Sequence, residues 1–254
     1  MTPQPCLVVV VAHPDDETFG CGSLLMHAAA RGVRTVVVCA TRGEAGEVET
    51  DVPLPAGGLG ELRESELRAA AAALGVADVE LLSFADSGLT GDAGPETLAG
   101  APVPAVEAAV LAALDRHAPD VVVTLDGSDG HRDHVRVRDG VTGLLVGTGT
   151  PVYLQCLPRS LMHAWVRHHA ADEGKAAYVE LPEIGTPDEE LTTILDTSVF
   201  LDRRHAAIAL HRSQQSPFDG LPEDVQRAWL GREHLVRLNP PWEGGPQETE
   251  LIGL

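Results

Sequence analysis

Four apolar runs rich in β-branched residues, at 8–11, 33–40, 79–84 and 121–125, recur along the chain, and the first and last of them are continuous rather than alternating. Such runs suit strands covered on both faces, as in a parallel sheet flanked by helices. Between them the apolar spacing is helical. Residues 19–30 carry Phe19, Leu24, Met26 and Ala28 on helical spacing and end near Gly32, and 61–74 is rich in Ala and Leu with Gly75 closing it. A third helix is predicted over 103–117 and a fourth over 135–146. Further on, the pattern predicts a strand at 152–157, a helix at 158–169, strands at 176–181 and 191–195, and a helix at 200–214. The βα alternation predicts an α/β fold: a Rossmann-like, mostly parallel sheet with helices on both faces, joined by right-handed crossovers. With 254 residues, no internal repeat and no long linker, the chain is expected to form a single domain over 1–254.

Polar clusters fall just past the ends of the first four strands. They are His13 to Glu17, then Arg42 and Glu44, then Asp86, then His131 to His134. In a parallel sheet these ends share one edge, which is where ligands bind. Taken alone, Asp15, Asp16 and Glu17 also read as an acidic cap on the following helix. That reading gives no reason for two histidines flanking an aspartate at the matching place on the fourth strand. Catalytic zinc commonly takes three ligands of His and carboxylate type and keeps one position open. His13, Asp16 and His134 would supply that set. His117, His163, His168, His169 and His205 have no such context and are read as ordinary surface or core groups.

The stretch Ala12-His13-Pro14-Asp15-Asp16-Glu17, with His131-Arg132-Asp133-His134 far downstream, resembles the zinc-dependent N-deacetylase family that includes the N-acetylglucosaminyl-phosphatidylinositol de-N-acetylases, the LmbE-like proteins and the mycothiol-pathway deacetylase and amidase. Weaker similarity covers 41–47, Arg63 with Glu66, Asp86-Ser87-Gly88 and 209–214, the last resembling a late His-x-Ser-Gln element that brings in His211. The resemblance implies that His13, Asp16 and His134 bind one Zn²⁺, with Fe²⁺ as an alternative ion, and that Asp15 is the general base for the water the metal activates. It implies that His131 stabilises the oxyanion or protonates the leaving amine, with Asp133 orienting the His131 ring. Arg63 and Asp86 match positions that contact sugar hydroxyls, and Arg42, Glu44 and His211 complete the substrate-binding candidates. Two positions depart from the pattern. Arg132 stands where many relatives have Pro, and Asp129 where the mycothiol branch carries a Tyr, which shifts oxyanion stabilisation toward the metal and His131.

The implied reaction is removal of an N-acetyl or other N-acyl group from an amino-sugar conjugate such as an N-acetylglucosaminyl compound, with a mycothiol-conjugate-type amidase as the alternative. The loops 45–60 and 90–102 would set the conjugate. Rival classes fit less well. A receiver-like Mg²⁺ pocket or another non-catalytic metal-binding α/β module leaves the histidines unexplained, and non-haem iron oxygenases usually sit in all-β barrels. A dehydrogenase fails because Gly20-Cys21-Gly22 follows an acidic motif that would repel a pyrophosphate. The balance of 38 acidic against 18 basic residues, a formal charge of −20, makes nucleic acid and anionic membranes poor partners and a small neutral or cationic molecule a better one. Cys6, Cys21, Cys39 and Cys156 have no C-x-x-C spacing and no apolar stretch is long enough to span a bilayer, so a cytoplasmic, reduced protein is expected, with no membrane insertion. Self-association as a homo-oligomer is left open.

Overall fold

All six residues of strand β1, Cys6–Val11, are buried, as the absence of alternation requires, and β1 lies in the interior of the sheet. The structure is a computed structural model that describes residues 4–49, 51–169 and 184–254. Along the chain β1 is followed by helices α1 (Asp16–Phe19) and α2 (Gly22–Ala30), β2 (Arg34–Cys39), α3 (Gly58–Leu74), β3 (Asp78–Leu81), α4 (Val103–His117), β4 (Val121–Leu125), α5 (Arg132–Leu145), β5 (Val152–Gln155) and α6 (Arg159–His169). Then come β6 (Thr193–Asp196), α7 (Leu201–Ile208), α8 (Glu223–Leu230) and β7 (Arg232–Asn239). The strand order is β3-β2-β1-β4-β5-β7-β6. β1 to β5 pair in parallel, while β7 runs antiparallel to both β5 and β6. Helices α4 and α5 pack together against β1 and β4, and α2, α3 and α7 form the other layer. The α/β fold with a mostly parallel sheet is therefore as expected from the pattern.

The order reverses between β1 and β4, because the chain runs outward through β2 and β3 and then returns to the other side of β1. Such a switch point leaves a crevice at the strand carboxyl ends. Both histidine motifs emerge there.

Several local boundaries differ from the sequence reading for identifiable reasons. The helix expected over 19–30 is broken into α1 and α2, because the Arg204 guanidinium takes the Phe19 and Gly20 carbonyls (2.6 and 3.3 Å), which a continuous helix would use internally. The helix predicted over 200–214 stops at Ile208, and the segment beyond turns back so that His211 reaches Glu17. The second motif was read as loop, yet His131 is the N-cap of α5 and Arg132 to His134 form its first turn. The strand predicted over 79–84 ends at Leu81. β7 and α8 had no counterpart in the prediction, and the strand expected at 176–181 lies outside the described residues.

Besides the main core around the sheet, a second cluster gathers Met162, Trp165, Ile208, Phe218, Trp229 and Leu230 beyond β5. Among the described residues no helix is long and apolar enough to cross a membrane.

Candidate metal centre and its cavity

After Val11 the backbone reverses at Asp15, whose φ of 122° lies in a region that side-chain-bearing residues rarely adopt. Such a conformation costs on the order of 1–3 kcal/mol and persists only where its surroundings over-determine it. Here they do. The Asp15 carbonyl accepts the N–H groups of Thr18 and Phe19 (2.9 and 2.7 Å), and the Asp15 N–H donates to the buried carboxylate of Glu17 at 2.9 Å. Arg63, from α3, donates through Nη2 to the Pro14 carbonyl (2.6 Å) and the Asp15 carboxylate (3.0 Å), and through Nη1 to the Gly43 carbonyl (2.8 Å). Glu17 is fixed in turn by His211 at 3.0 Å.

The reversal points Asp16 back at the end of β1. Asp16 Oδ2 accepts the backbone N–H groups of Ala12 (3.1 Å) and His13 (2.7 Å) and lies 3.6 Å from His13 Nδ1, while Oδ1 lies 3.3 Å from His134 Nε2. Ligands about 2.0–2.2 Å from a tetrahedral zinc stand about 3.3–3.5 Å from one another. Each of the two Asp16 oxygens thus stands close to that distance from one imidazole nitrogen. The outward nitrogens complete the pattern: His13 Nε2 is 3.1 Å from Asp133 Oδ2, and His134 Nδ1 is 2.6 Å from Asp129 Oδ2. A carboxylate that takes the far N–H fixes the tautomer and turns the other nitrogen's lone pair inward, the usual arrangement of metal-binding histidines.

The electrostatics point the same way. Burial lowers the affinity of His134 for a proton, but Asp129 and Asp16 override it and raise the ring to about 10. His13 is likewise raised well above its ordinary value, against burial, by Asp133, Asp16 and Asp86. Asp16 is held well below the carboxylate range, since the two histidines outweigh its burial. Two imidazoles that cling to protons among so many carboxylates mark a place where a cation is favoured.

His131 behaves differently. Its ring lies 4.7 Å, centroid to centroid, from both His13 and His134, and the nitrogens of the three rings could converge on one ion. However, His131 Nδ1 accepts the backbone N–H of Asp133 at 3.2 Å, which leaves the proton of the neutral ring on Nε2. Burial, then the positive charge of His134 and His13, pushes it down to about 4, so it is neutral near pH 7. Its Nε2–H is then a hydrogen-bond donor beside the other two rings.

These groups open into a cavity of about 620 Å³. On the β2–β3 side it is walled by Ala45 to Glu49, Arg63 and Asp86, and beyond β5 by Leu157, Met162, Trp165, Phe218 and Trp229. Asp15 lines it beside Asp16 and carries a carboxyl raised to about 6, chiefly by burial, with Asp16 adding to the rise and Arg63 opposing it.

The family described as PIG-L, GlcNAc-PI de-N-acetylase, matches residues 8–145, which contain both motifs. The chain belongs to this family. Among curated relatives, a 1D-myo-inositol 2-acetamido-2-deoxy-alpha-D-glucopyranoside deacetylase of Acidothermus cellulolyticus is 32% identical, covering 91% of this chain and 88% of that protein. A deacetylase of the same description from Saccharopolyspora erythraea is 36% identical, covering 100% and 95%. Among solved structures, a deacetylase from the teicoplanin biosynthesis pathway superposes with a TM-score of 0.64 at 19% identity (92% and 99% covered). The N,N'-diacetylchitobiose deacetylase of Pyrococcus horikoshii does so at 0.56 and 19% (91% and 83%). At that identity the structural likeness speaks for the fold.

Within this PIG-L-family chain, several residues sit otherwise than the sequence implied. Asp133 does not orient His131: its carboxylate holds His13 and accepts from Ser87 N (3.0 Å) and Ser87 Oγ (2.5 Å), because in the first turn of α5 it faces the end of β3 while His131 caps the helix. Arg63 is buried, holds the Pro14 and Gly43 carbonyls and the Asp15 carboxylate, and also lines the cavity. Arg42 lies outside the cavity and pairs with Glu64 on the surface (3.0 Å). Glu44, also outside it, accepts the Asp86 N–H at 3.2 Å. His211 is 2% exposed beneath Glu17 and is not among the described residues that line the cavity. Of the substrate-binding candidates, Asp86 lines the cavity together with Arg63, and its carboxylate accepts from Ala45 N and Gly88 N and lies 3.5 Å from His13 Nε2. Asp129 and the aromatic wall carried no sequence signal of their own, the first because its only mark was a departure from a relative's Tyr, the second because its members are far apart in the chain.

Proposed function

We propose that the chain is a zinc-dependent amide hydrolase that removes the acetyl group from an N-acetylglucosaminyl compound, with the 1D-myo-inositol conjugate named for its relatives as the first substrate to test. The observation that carries this reading is the Asp16 carboxylate lying between His13 Nδ1 and His134 Nε2, each ring backed by its own carboxylate. His13, Asp16 and His134 would hold the ion, and a bound zinc supplies Lewis-acid polarisation of the amide carbonyl and a more acidic water.

The rest of the chemistry belongs to the chain's own groups. Asp15, kept off the donor set by Arg63, is the base that takes a proton from the attacking water and returns it to the amine nitrogen as the C–N bond breaks. His131, neutral and protonated on Nε2, donates to the carbonyl oxygen as it becomes negative, which favours the oxyanion role over protonation of the amine. The products are acetate and a free amine. One sheet runs through both halves of the site, which supports reading 1–254 as one catalytic unit. Four free, buried cysteines support a reducing compartment such as the cytoplasm.

The test is elemental analysis of purified protein together with mass spectrometry of the inositol conjugate after incubation. About one zinc per chain and loss of the acetyl mass are expected; one equivalent of iron in its place would reassign the ion. Full metal retention in His13→Ala, Asp16→Ala and His134→Ala alike would sink the assignment.

A further inference from the structure

The cavity is polarised along the sheet edge. Its three parts follow the strand order. The segment 45–49 follows β2 and Asp86 follows β3, the donor set hangs from the ends of β1 and β4, and Leu157, Met162 and Trp165 follow β5. The carboxylates Glu47, Glu49 and Asp86, with Val48 and Leu89 beside them, therefore lie on one side of the donor set, and the larger apolar groups, with Gln155, on the other. The apolar wall is completed by Phe218 and by Trp229 at the end of α8, and Phe218 packs edge-to-face on both Phe19 and Trp229. Met162, Trp165, Phe218 and Trp229 are each 5–7% exposed, and all four line the cavity. Among the described residues the carboxylate on this side, Asp126, is tied by Ser128 N, Ser128 Oγ and Thr186 Oγ1 (2.9, 2.7 and 2.5 Å). The indole N–H of Trp165 is bound to the Pro217 carbonyl at 2.7 Å.

A secondary amide is planar and trans, so its acyl carbon chain and its nitrogen substituent leave the carbonyl in opposite directions. With the carbonyl at the donor set, one substituent runs toward Asp86 and the segment 45–49 and the other toward the aromatic wall. A hydroxyl-rich amine matches the first wall. A methyl group does not fill the second. We infer that the apolar end is an acyl-binding site, and that the chain, which removes acetyl, prefers an amino-sugar amide carrying a medium-chain aliphatic acyl group. An apolar group on the sugar's other side would lie with the sugar, on the polar wall. The inference rests on the amide-hydrolase reading and narrows its substrate class.

The test is a series of N-acylglucosamines (acetyl, butyryl, hexanoyl, octanoyl) with zinc-loaded protein, following release of the free amine. Each buried methylene should raise kcat/KM about three- to fourfold until the wall is covered, for an octanoyl-over-acetyl preference of about a hundredfold. Leu157→Trp, which narrows the apolar end, should cut that ratio at least tenfold. Independently of turnover, octanoate should quench the tryptophan fluorescence contributed by Trp165 and Trp229 at far lower concentration than acetate, and Leu157→Trp should weaken its binding. Cleavage of acetyl but not octanoyl substrate, or equal rates across the series, overturns the acyl site and leaves the hydrolase reading standing. Failure to cleave any member overturns the hydrolase reading, and octanoate binding no tighter than acetate then overturns the acyl site as well.

Discussion

Arg63 Nη2 lies 3.0 Å from Asp15 Oδ2 and 2.6 Å from the carbonyl of Pro14, so one buried guanidinium holds both the proposed base and the turn that carries it. Two effects of removing it can be told apart. Loss of the clamp lets the strained φ at Asp15 relax and misplaces the carboxylate, which should lower kcat by roughly 10- to 1,000-fold. Loss of the charge raises the Asp15 pKa from about 6, because Arg63 opposes the rise that burial imposes. A base works deprotonated, so activity falls as pH drops through that value, and the acidic limb of the kcat/KM profile should move to higher pH in Arg63→Ala. Arg63→Lys should restore part of the shift but not the two-point geometry. An acidic limb that stays in place in Arg63→Ala would show that the guanidinium does not act on Asp15.

Asp15 and Asp16 are neighbours in sequence with opposite surroundings. Asp16 faces two imidazoles and is held well below the carboxylate range, whereas burial raises Asp15. Asp16→Ala should lose metal and activity together. Asp15→Asn should keep about one equivalent of metal while kcat falls roughly 10²- to 10⁴-fold. Metal content and single-substrate kinetics on the same preparations decide it, and metal loss in Asp15→Asn with retention in Asp16→Ala would exchange the two roles.

Asp129 offers a separate handle on the ion. Its Oδ2 lies 2.6 Å from His134 Nδ1, and the backbone N–H of His131 donates to Oδ1 at 3.0 Å, so it steadies the imidazole that faces Asp16 and the start of the α5 cap at once. Asp129→Asn keeps the shape but removes the charge that makes Nε2 a strong donor. Competition against a fluorescent chelator should show metal affinity weakened about 10- to 100-fold. Unchanged affinity would reduce Asp129 to a loop residue.

How much of this was legible in the sequence depends on whether a residue's partners are local. The buried strands announced themselves because β1 and β4 have no solvent face, and the motifs at their ends followed from parallel topology alone. The partnership of Asp133 was not legible. Its distance of two residues from His131 suggested a pair, but the first turn of α5 sends the carboxylate toward Ser87 and His13, 46 and 120 residues away along the chain. The broken helix at Gly20 likewise depends on Arg204, 184 residues away. The apolar wall is assembled from Leu157, Trp165, Phe218 and Trp229, each of which reads locally as an ordinary core position. β7 escaped notice because Arg232, Glu233 and Arg237 interrupt its apolar residues, and its place between β5 and β6 is settled only by pairing.

β7 also supplies a titration remote from the donor set. His234 is 8% exposed, and burial, reinforced by the positive charges of Arg232 and Arg204 against the weaker pull of Asp188, holds its imidazole down to about 4. In the unfolded chain the same ring titrates near 6.5. Above 6.5 it is neutral in both states and costs nothing. Between about 6.5 and 4 the unfolded chain takes up a proton that the folded one refuses, so stability falls as pH drops, by at most about 1.4 kcal/mol per pH unit from this group. His234→Phe should therefore be less sensitive to acid than the wild type across that window, even if its melting temperature at pH 7.5 is lower. The measurement is the difference in chemical-denaturation free energy between variant and wild type at several pH values from 7.5 down to 4.5. Subtracting the two curves cancels every other titrating group that the substitution leaves alone, and a difference that does not change with pH would mean that His234 titrates in the folded strand as it does in the unfolded chain.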